Sequence, residues 1–329
     1  MTSSSVRTSR PNRRLTAAFA AAGALLLAIT SVTAAQADPA EPTADPGVLQ
    51  AGPIGWASTN GGTTGGAGGS TVTVTSASQL ISNMQASGSR IIQVSGTINL
   101  SGMNDIASDK TLIGINNARI NGGGIDVDGA HNVIIRNITF ANADDDSVNV
   151  QDGSTNIWID HNTFLPGYDG SLDIKRESDF VTVSWNHFDG TDKTSLLGHS
   201  DNHSADANHL RVTYHHNFYD NTNTRNPRIR YGRGVHVFNN YYLNSNEYGI
   251  ASTENASVLV EGNYFQGVDT PTEVGYASSD PGDLVERNNV YSNSGSPNTR
   301  GSFVGVPYSY NADSASSIPS IVGNGAGVS

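Results

Sequence analysis

The chain has no cysteine, which excludes disulfides and thiolate metal sites and leaves burial, hydrogen bonding and hard-cation binding as its means of stabilisation. It is also poor in positive charge, with 18 Lys and Arg against 30 Asp and Glu. No apolar run after residue 35 compares with the one from Leu15 to Ala35. That run follows Arg7, Arg10, Arg13 and Arg14 and ends in Ala35-Gln36-Ala37, the pattern of a cleaved export signal rather than a membrane anchor. Arg13-Arg14 fits a twin-arginine signal poorly, so the general secretory route is expected. Loss of residues 1–37 removes four arginines and no acid, leaving 14 bases against 30 acids and a formal charge of −16. Such a balance argues against nucleic acid as a partner.

Residues 38–65, rich in Pro, Ala, Gly and Thr, read as a flexible lead-in to a first strand at 71–75, and residues 66–329 as one catalytic-size domain. Ser76 to Gln85 is the one helix candidate, placed to cap the N-terminal end of a solenoid. Beyond it a short unit recurs, as in "HNVIIRNITF", "TNIWIDHNTF", "RGVHVFNNYY" and "ASVLVEGNYF". Each is an alternating strand that runs into Asn and then an aromatic residue. With Asn137, Asn162, Asn186, Asn217, Asn240, Asn263 and Asn289 as markers, the steps are 25, 24, 31, 23, 23 and 26 residues. A period of this size predicts an all-β, right-handed parallel β-helix with one coil per step. Stacked coils about 4.8 Å apart would let the Asn amides bond one another, and would stack Phe164, Phe188, Tyr219, Tyr242, Phe265 and Tyr291. A β-sandwich gives no reason for one Asn at one place per coil. The 31-residue step contains "GHSDNHSADANH" at 198–209, expected to project as a loop.

Counted from the markers, Asp144, Asp169 and Lys193 each fall at +7, from Asn137, Asn162 and Asn186, and Arg225 at +8 from Asn217. Charges at one phase on four coils predict a column about 15 Å long. Asp146 and Asp173 follow the two acids on the same strand face. Four carboxylates from adjacent coils suit Ca²⁺, which accepts many oxygens; the bland alternative is a set of solvated Asp-rich turns. "RNPRIRYGR" places four arginines in nine residues. Such a patch beside an acidic site suits a carboxylate-bearing polyanion.

The sequence resembles the pectate lyase family of parallel β-helix polysaccharide lyases, from "GGTTGGAGG" near 61 to "SIVGNGAG" near 327, through "NIWIDHNTF", "DGSLDIKRESDFVTVSWN" and above all "RNPRIR". The resemblance implies Asp144, Asp146, Asp169 and Asp173 as calcium ligands, with Asp169 where the family often has Glu. It also implies Lys193 and Arg230 as substrate-carboxylate contacts, Lys175 in the cleft and Arg225 as catalytic base. The implied reaction is calcium-dependent β-elimination of polygalacturonate by a secreted monomer. Because arginine is protonated near neutrality, that base predicts activity rising above pH 7. Asp160-His161 and His215-His216 read as structural. Three rivals remain: a calcium-independent pectin lyase on methyl-esterified polymer, a β-helix hydrolase with paired carboxylates, and a noncatalytic calcium-stabilised polysaccharide-binding solenoid. "GHS" at 198–200 lacks the Gly-His-Gly of the hydrolases.

Overall fold

Alternating residues such as those of "HNVIIR" put every second side chain on one side of a strand, and here that side is the inside of a parallel β-helix. The computed structural model describes residues 52–329; the expected leader and residues 38–51 lie outside the described residues. Coil after coil, the chain contributes to a 17-stranded and an 8-stranded parallel sheet. The core is a set of stacks in register. Val133, Ile157, Val181 and Val212 pair in sequence, and Ile135, Ile159, Val183, Tyr214 and Val237 do the same. All are buried in one continuous apolar cluster.

A second interior stack is aromatic. Phe140, Phe164, Phe188, Tyr219, Tyr242, Phe265 and Tyr291 lie parallel, with ring centroids 4.5–5.3 Å apart. Beside it runs the asparagine ladder. Asn186 Oδ1 accepts from both the backbone N–H and the amide of Asn162, and the same pairing repeats through Asn217, Asn240, Asn263 and Asn289. Each amide also donates to a carbonyl of the preceding coil, as Asn217 Nδ2 does to Val183 O at 2.9 Å. One marker is misplaced. Asn162 Oδ1 accepts from the backbone of Ile138, not Asn137, so Ile138 holds the ladder position and Asn137 the residue before it. In every coil that preceding residue has positive φ: Asn137, His161, Trp185, His216, Asn239, Gly262 and Asn288 lie between 51° and 62°. Asn is among the few side chains that tolerate this left-handed conformation, so Asn is selected at two adjacent positions for two different reasons.

The helix Ala77–Met84 forms as expected, with Ser76 Oγ accepting from Gln79 N, and Leu80 and Met84 buried in the core. A second helix, Ile318–Gly325, was not foreseen. Its Pro and two glycines give it little intrinsic helicity, and it is held by packing Ile318 and Val322 on Tyr241.

The terminal segments decide which wall is open. Residues 54–64, expected as part of a flexible lead-in, are tied to the outer side of the longer sheet: Trp56 N donates to Thr213 Oγ1, Ala57 N to Thr182 Oγ1, and Trp56 Nε1 to Gly234 O. After Ser302 the chain runs back over the same side. Tyr308 OH bonds Thr213, Asp313 bonds His216, and Ser329 N reaches Asn137. These segments cover the longer sheet, whereas the eight-stranded wall carries the acidic and basic side chains described next.

Candidate active site

Three strands of the eight-stranded wall, Gly124–Asp128, Val148–Gln151 and Leu172–Ile174, bring Asp126, Asn149 and Asp173 into register on successive coils. The turns before the last two supply Asp145, Asp146 and Asp169. Together they line a cleft of about 460 Å³ that also receives Lys175, His199 and Arg225.

The expected column is therefore shifted. Because Asn137 is one residue short of the ladder, counting seven from it ends on Asp144, whereas the residue 24 before Asp169 in the true register is Asp145, as Val148 pairing with Leu172 requires. Asp144 turns away and its carboxylate accepts from Gly102 N at 2.9 and 3.1 Å. Asp145 takes its place in the cleft. Asp146, Asp169, Asp173, Lys175 and Arg225 are brought together as expected, and Lys193 joins them at the rim, its Nζ 3.0 Å from Asp169 Oδ1. Lys193 bridges to Gly170 and Thr224 rather than sitting opposite Asp169, so it reaches the acid along the strand direction. Arg225 Nη1 lies 3.9 Å from the same oxygen. Arg225 itself has φ 62°, an uncommon conformation for a long side chain that costs about 1–2 kcal/mol. It is fixed by Ser195 N donating to its carbonyl at 2.7 Å.

Arg230 is not among the residues of the cleft. It is buried on the next part of the wall, with Nε 2.5 Å from Asp201 Oδ1. Sequence reading missed Asp145, Asp126, Asn149 and His199 near the cleft. Only the pairing register, counted from Ile138, could have found the first.

The electrostatics are those of a crowded anion site. Burial raises the Asp146 carboxyl above its usual range, and Lys175 at 3.4 Å and the Gly170 N–H at 2.8 Å oppose that rise. Burial and the neighbouring Asp146 raise Asp173. Burial also brings Asp126 up to about 6, against hydrogen bonds from Gln151 and Asn149. Isolated carboxylates this close disfavour one another's charge; a cation reverses that. The donor set fits a hard cation. One oxygen each of Asp145, Asp146 and Asp169 lie within 4.8 Å of one another, close enough for a single ion with bonds of about 2.4 Å to touch all three. A Cβ on Gly170 would fall 2.5 Å from Asp173 Oδ1 and 2.7 Å from Asp146 Oδ1, so the absent side chain keeps that space open. Asn149 Oδ1 is buried without a partner among the described residues.

Asp160 and His161 are structural. Asp160, fully buried, accepts from Arg136, His161 and Ser184 on the longer sheet.

Compared with known families, residues 26–329 match the model for pectate lyase. The chain belongs to the pectate lyase family. It is a polysaccharide lyase. It is 38% identical to a pectate trisaccharide-lyase of Bacillus licheniformis over 298 residues, covering 83% of this chain and 85% of that protein. It is 39% identical to pectate lyase A of Emericella nidulans over 286 residues, covering 83% and 86%. Among solved structures, a pectate lyase from Bacillus sp. N165 in complex with trigalacturonate superposes with a TM-score of 0.78 at 34% identity, covering 84% of this chain and 99% of that one. The parallel solenoid and its enzyme class thus agree with the reading of the Asn-aromatic repeat and of "RNPRIR".

Proposed function

We propose that this lyase cleaves polygalacturonate by calcium-dependent β-elimination, releasing oligogalacturonates with an unsaturated end. The observation that carries the reading is the convergence of Asp145, Asp146 and Asp169 oxygens within 4.8 Å, with Lys193 and Arg225 both directed at Asp169. Asp146, Asp169 and Asp173 would hold calcium, with Asp145 in the position first assigned to Asp144. Bound calcium would supply the positive charge that offsets the uronate carboxylate and acidifies the proton at C5.

The remaining work falls to side chains. Lys193 and Lys175 offer point charges to uronate carboxylates, and Arg230 offers a fork. Arg225 in its neutral form takes the C5 proton; the electron pair forms the C4–C5 double bond as the bond from C4 to the bridging oxygen breaks, and that oxygen leaves with a proton from water while Arg225 returns its proton to solvent. A relative solved with trigalacturonate supports the substrate class. The reading further takes residues 1–37 as a cleaved export signal and residues 66–329 as one catalytic domain, acting outside the cell as a monomer.

The test incubates the mature protein with polygalacturonate, with and without chelator, and follows both ultraviolet absorbance of unsaturated product and reducing ends. Absorbance abolished by chelator is expected. Reducing ends without absorbance would indicate a hydrolase, neither signal a binding protein, and chelator-resistant absorbance on esterified polymer a pectin lyase. Arg225→Lys is expected to fold and bind calcium but lose turnover; full turnover would refute Arg225 as the base.

A further inference from the structure

The coil between Ser184 and His215, which pair across 31 residues, is longer than its neighbours. The excess, residues 198–209, does not simply project. Asp206, fully buried, accepts from Glu177 N and His199 N, both at 2.8 Å, which fastens the loop at its base. A second point of the loop is fastened by Asp201. Asp201 Oδ1 accepts from Arg230 Nε at 2.5 Å and Oδ2 from Ser279 Oγ at 2.8 Å, while its carbonyl accepts from the Tyr231 hydroxyl. Ser279 Oγ in turn accepts from Arg228 Nη2 at 2.6 Å, and Arg228 lies over the Tyr276 ring at 4.8 Å.

Asp201 engages only one edge of the Arg230 guanidinium. Nη1 is buried without an acceptor among the described residues, so the end-on pair of nitrogens, one of the two pairs with which a guanidinium can grip a carboxylate bidentately, is incompletely satisfied by the protein. A buried arginine tied at Nε alone is held in plane with that pair unspent. We propose that Asp201, contributed by the insertion, is a positioning residue that orients Arg230 for a uronate carboxylate of the substrate.

This inference rests on Arg230 being a substrate contact, and the test separates the two. Michaelis parameters on polygalacturonate at saturating calcium are measured for Asp201→Ala, Asp201→Asn, Asp201→Glu, Ser279→Ala, Arg230→Ala and the double variant Arg230→Ala with Asp201→Ala, alongside thermal unfolding midpoints. Loss of one charge-assisted bond should raise KM about tenfold for Asp201→Ala and Asp201→Asn, with kcat within about twofold, as expected when uniform binding is lost. Asp201→Glu should restore most of it, and Ser279→Ala should raise KM by a smaller factor. In the Arg230→Ala background Asp201→Ala should add nothing, because its effect runs through Arg230. An unchanged or lowered KM in the Asp201 variants, or an additive effect in the double variant, overturns the inference while leaving Arg230 as a contact. An unchanged KM in Arg230→Ala removes Arg230 as a contact, and the inference with it.

Discussion

Replacing Asn217 by Ala should cost far more than replacing Asn137 by Ala, although both stand at the same point of the repeat by eye. Asn217 is fully buried, and its Oδ1 accepts from Asn186 N at 3.0 Å and from Asn186 Nδ2 at 3.1 Å. Its amide donates to Val183 O and to Asn240 Oδ1, both at 2.9 Å. Truncation leaves the Asn186 N–H without an acceptor. Asn186 Nδ2 keeps the Ile159 carbonyl, and Asn240 Oδ1 keeps the Asn217 N–H. One orphaned buried donor and the weakened partners together come to about 3–5 kcal/mol. Asn137 is half-buried and loses bonds to Gly114 O and to the N–H and hydroxyl of Ser329, which water can replace. Ala at its φ of 58° adds about 1 kcal/mol of strain. Urea unfolding followed by tryptophan fluorescence should therefore separate the two variants by at least about 2 kcal/mol at unchanged slope. Equal destabilisation, to within about 0.5 kcal/mol, would refute the assignment of two jobs to adjacent asparagines.

The shift in register predicts that Asp146→Ala weakens calcium binding about 100-fold or more by calorimetry, whereas Asp144→Ala, whose carboxylate caps Gly102, leaves it within about threefold. Gly170→Ala should reduce calcium affinity without replacing a ligand, because its Cβ would intrude at 2.5 Å on Asp173 Oδ1 and displace that carboxylate; unchanged affinity would show that the space is not used. The buried histidines beside the C-terminal segment should cost the fold stability in acid. Burial lowers His215, His216 and His236 below the ordinary imidazole value, against Asp313 on His216 and Glu261 on His236, with Arg287 assisting the lowering of His236. The unfolded chain then binds more protons, so stability is intact above about pH 6.5 and falls as pH drops below it. The raised carboxyls of Asp126 and Asp173 work in the opposite direction over the same range, so the check is a difference: from pH 7 to 5 the thermal midpoint of His215→Gln should fall less, relative to its value at pH 7, than that of the unsubstituted chain, and a slope unchanged by the substitution would exclude His215 as a source.

The coil count was legible because stacking forces the same chemistry onto the same place in each turn. An amide that bonds its copy above and below, or a ring that lies on its copy at 4.5–5.3 Å, can be satisfied only by recurrence. The phase within a coil was less legible, since Asn serves both the ladder and the positive-φ residue before it. Where His161, Trp185 or His216 takes the second role, the ladder Asn is unambiguous. Where Ile138 takes the first, it is not, and a one-residue error passes directly into the choice between Asp144 and Asp145. The helix Ile318–Gly325 was illegible for the opposite reason: its sequence is a poor helix former, and the burial of Ile318 and Val322 against distant Tyr241 is what makes it.

The insertion reads only as a protrusion in the sequence for a related reason. Its polar residues look solvated as a string, but Asp206 closes on Glu177 N and His199 N, and Asp201 on a guanidinium 29 residues away and a hydroxyl 78 residues away. Such contacts are set by which coils become neighbours, and no local period encodes them. The wall thus divides by function and by how its residues are specified. The acids at Asp146, Asp169 and Asp173 are brought together by the stacking register of two adjacent coils, and their closeness suits a cation. Arg230 depends on a departure from the repeat for its anchor. A pectate lyase built on this helix could therefore change how it grips its polymer by altering the loop at 198–209, while leaving the coil that carries the carboxylates intact.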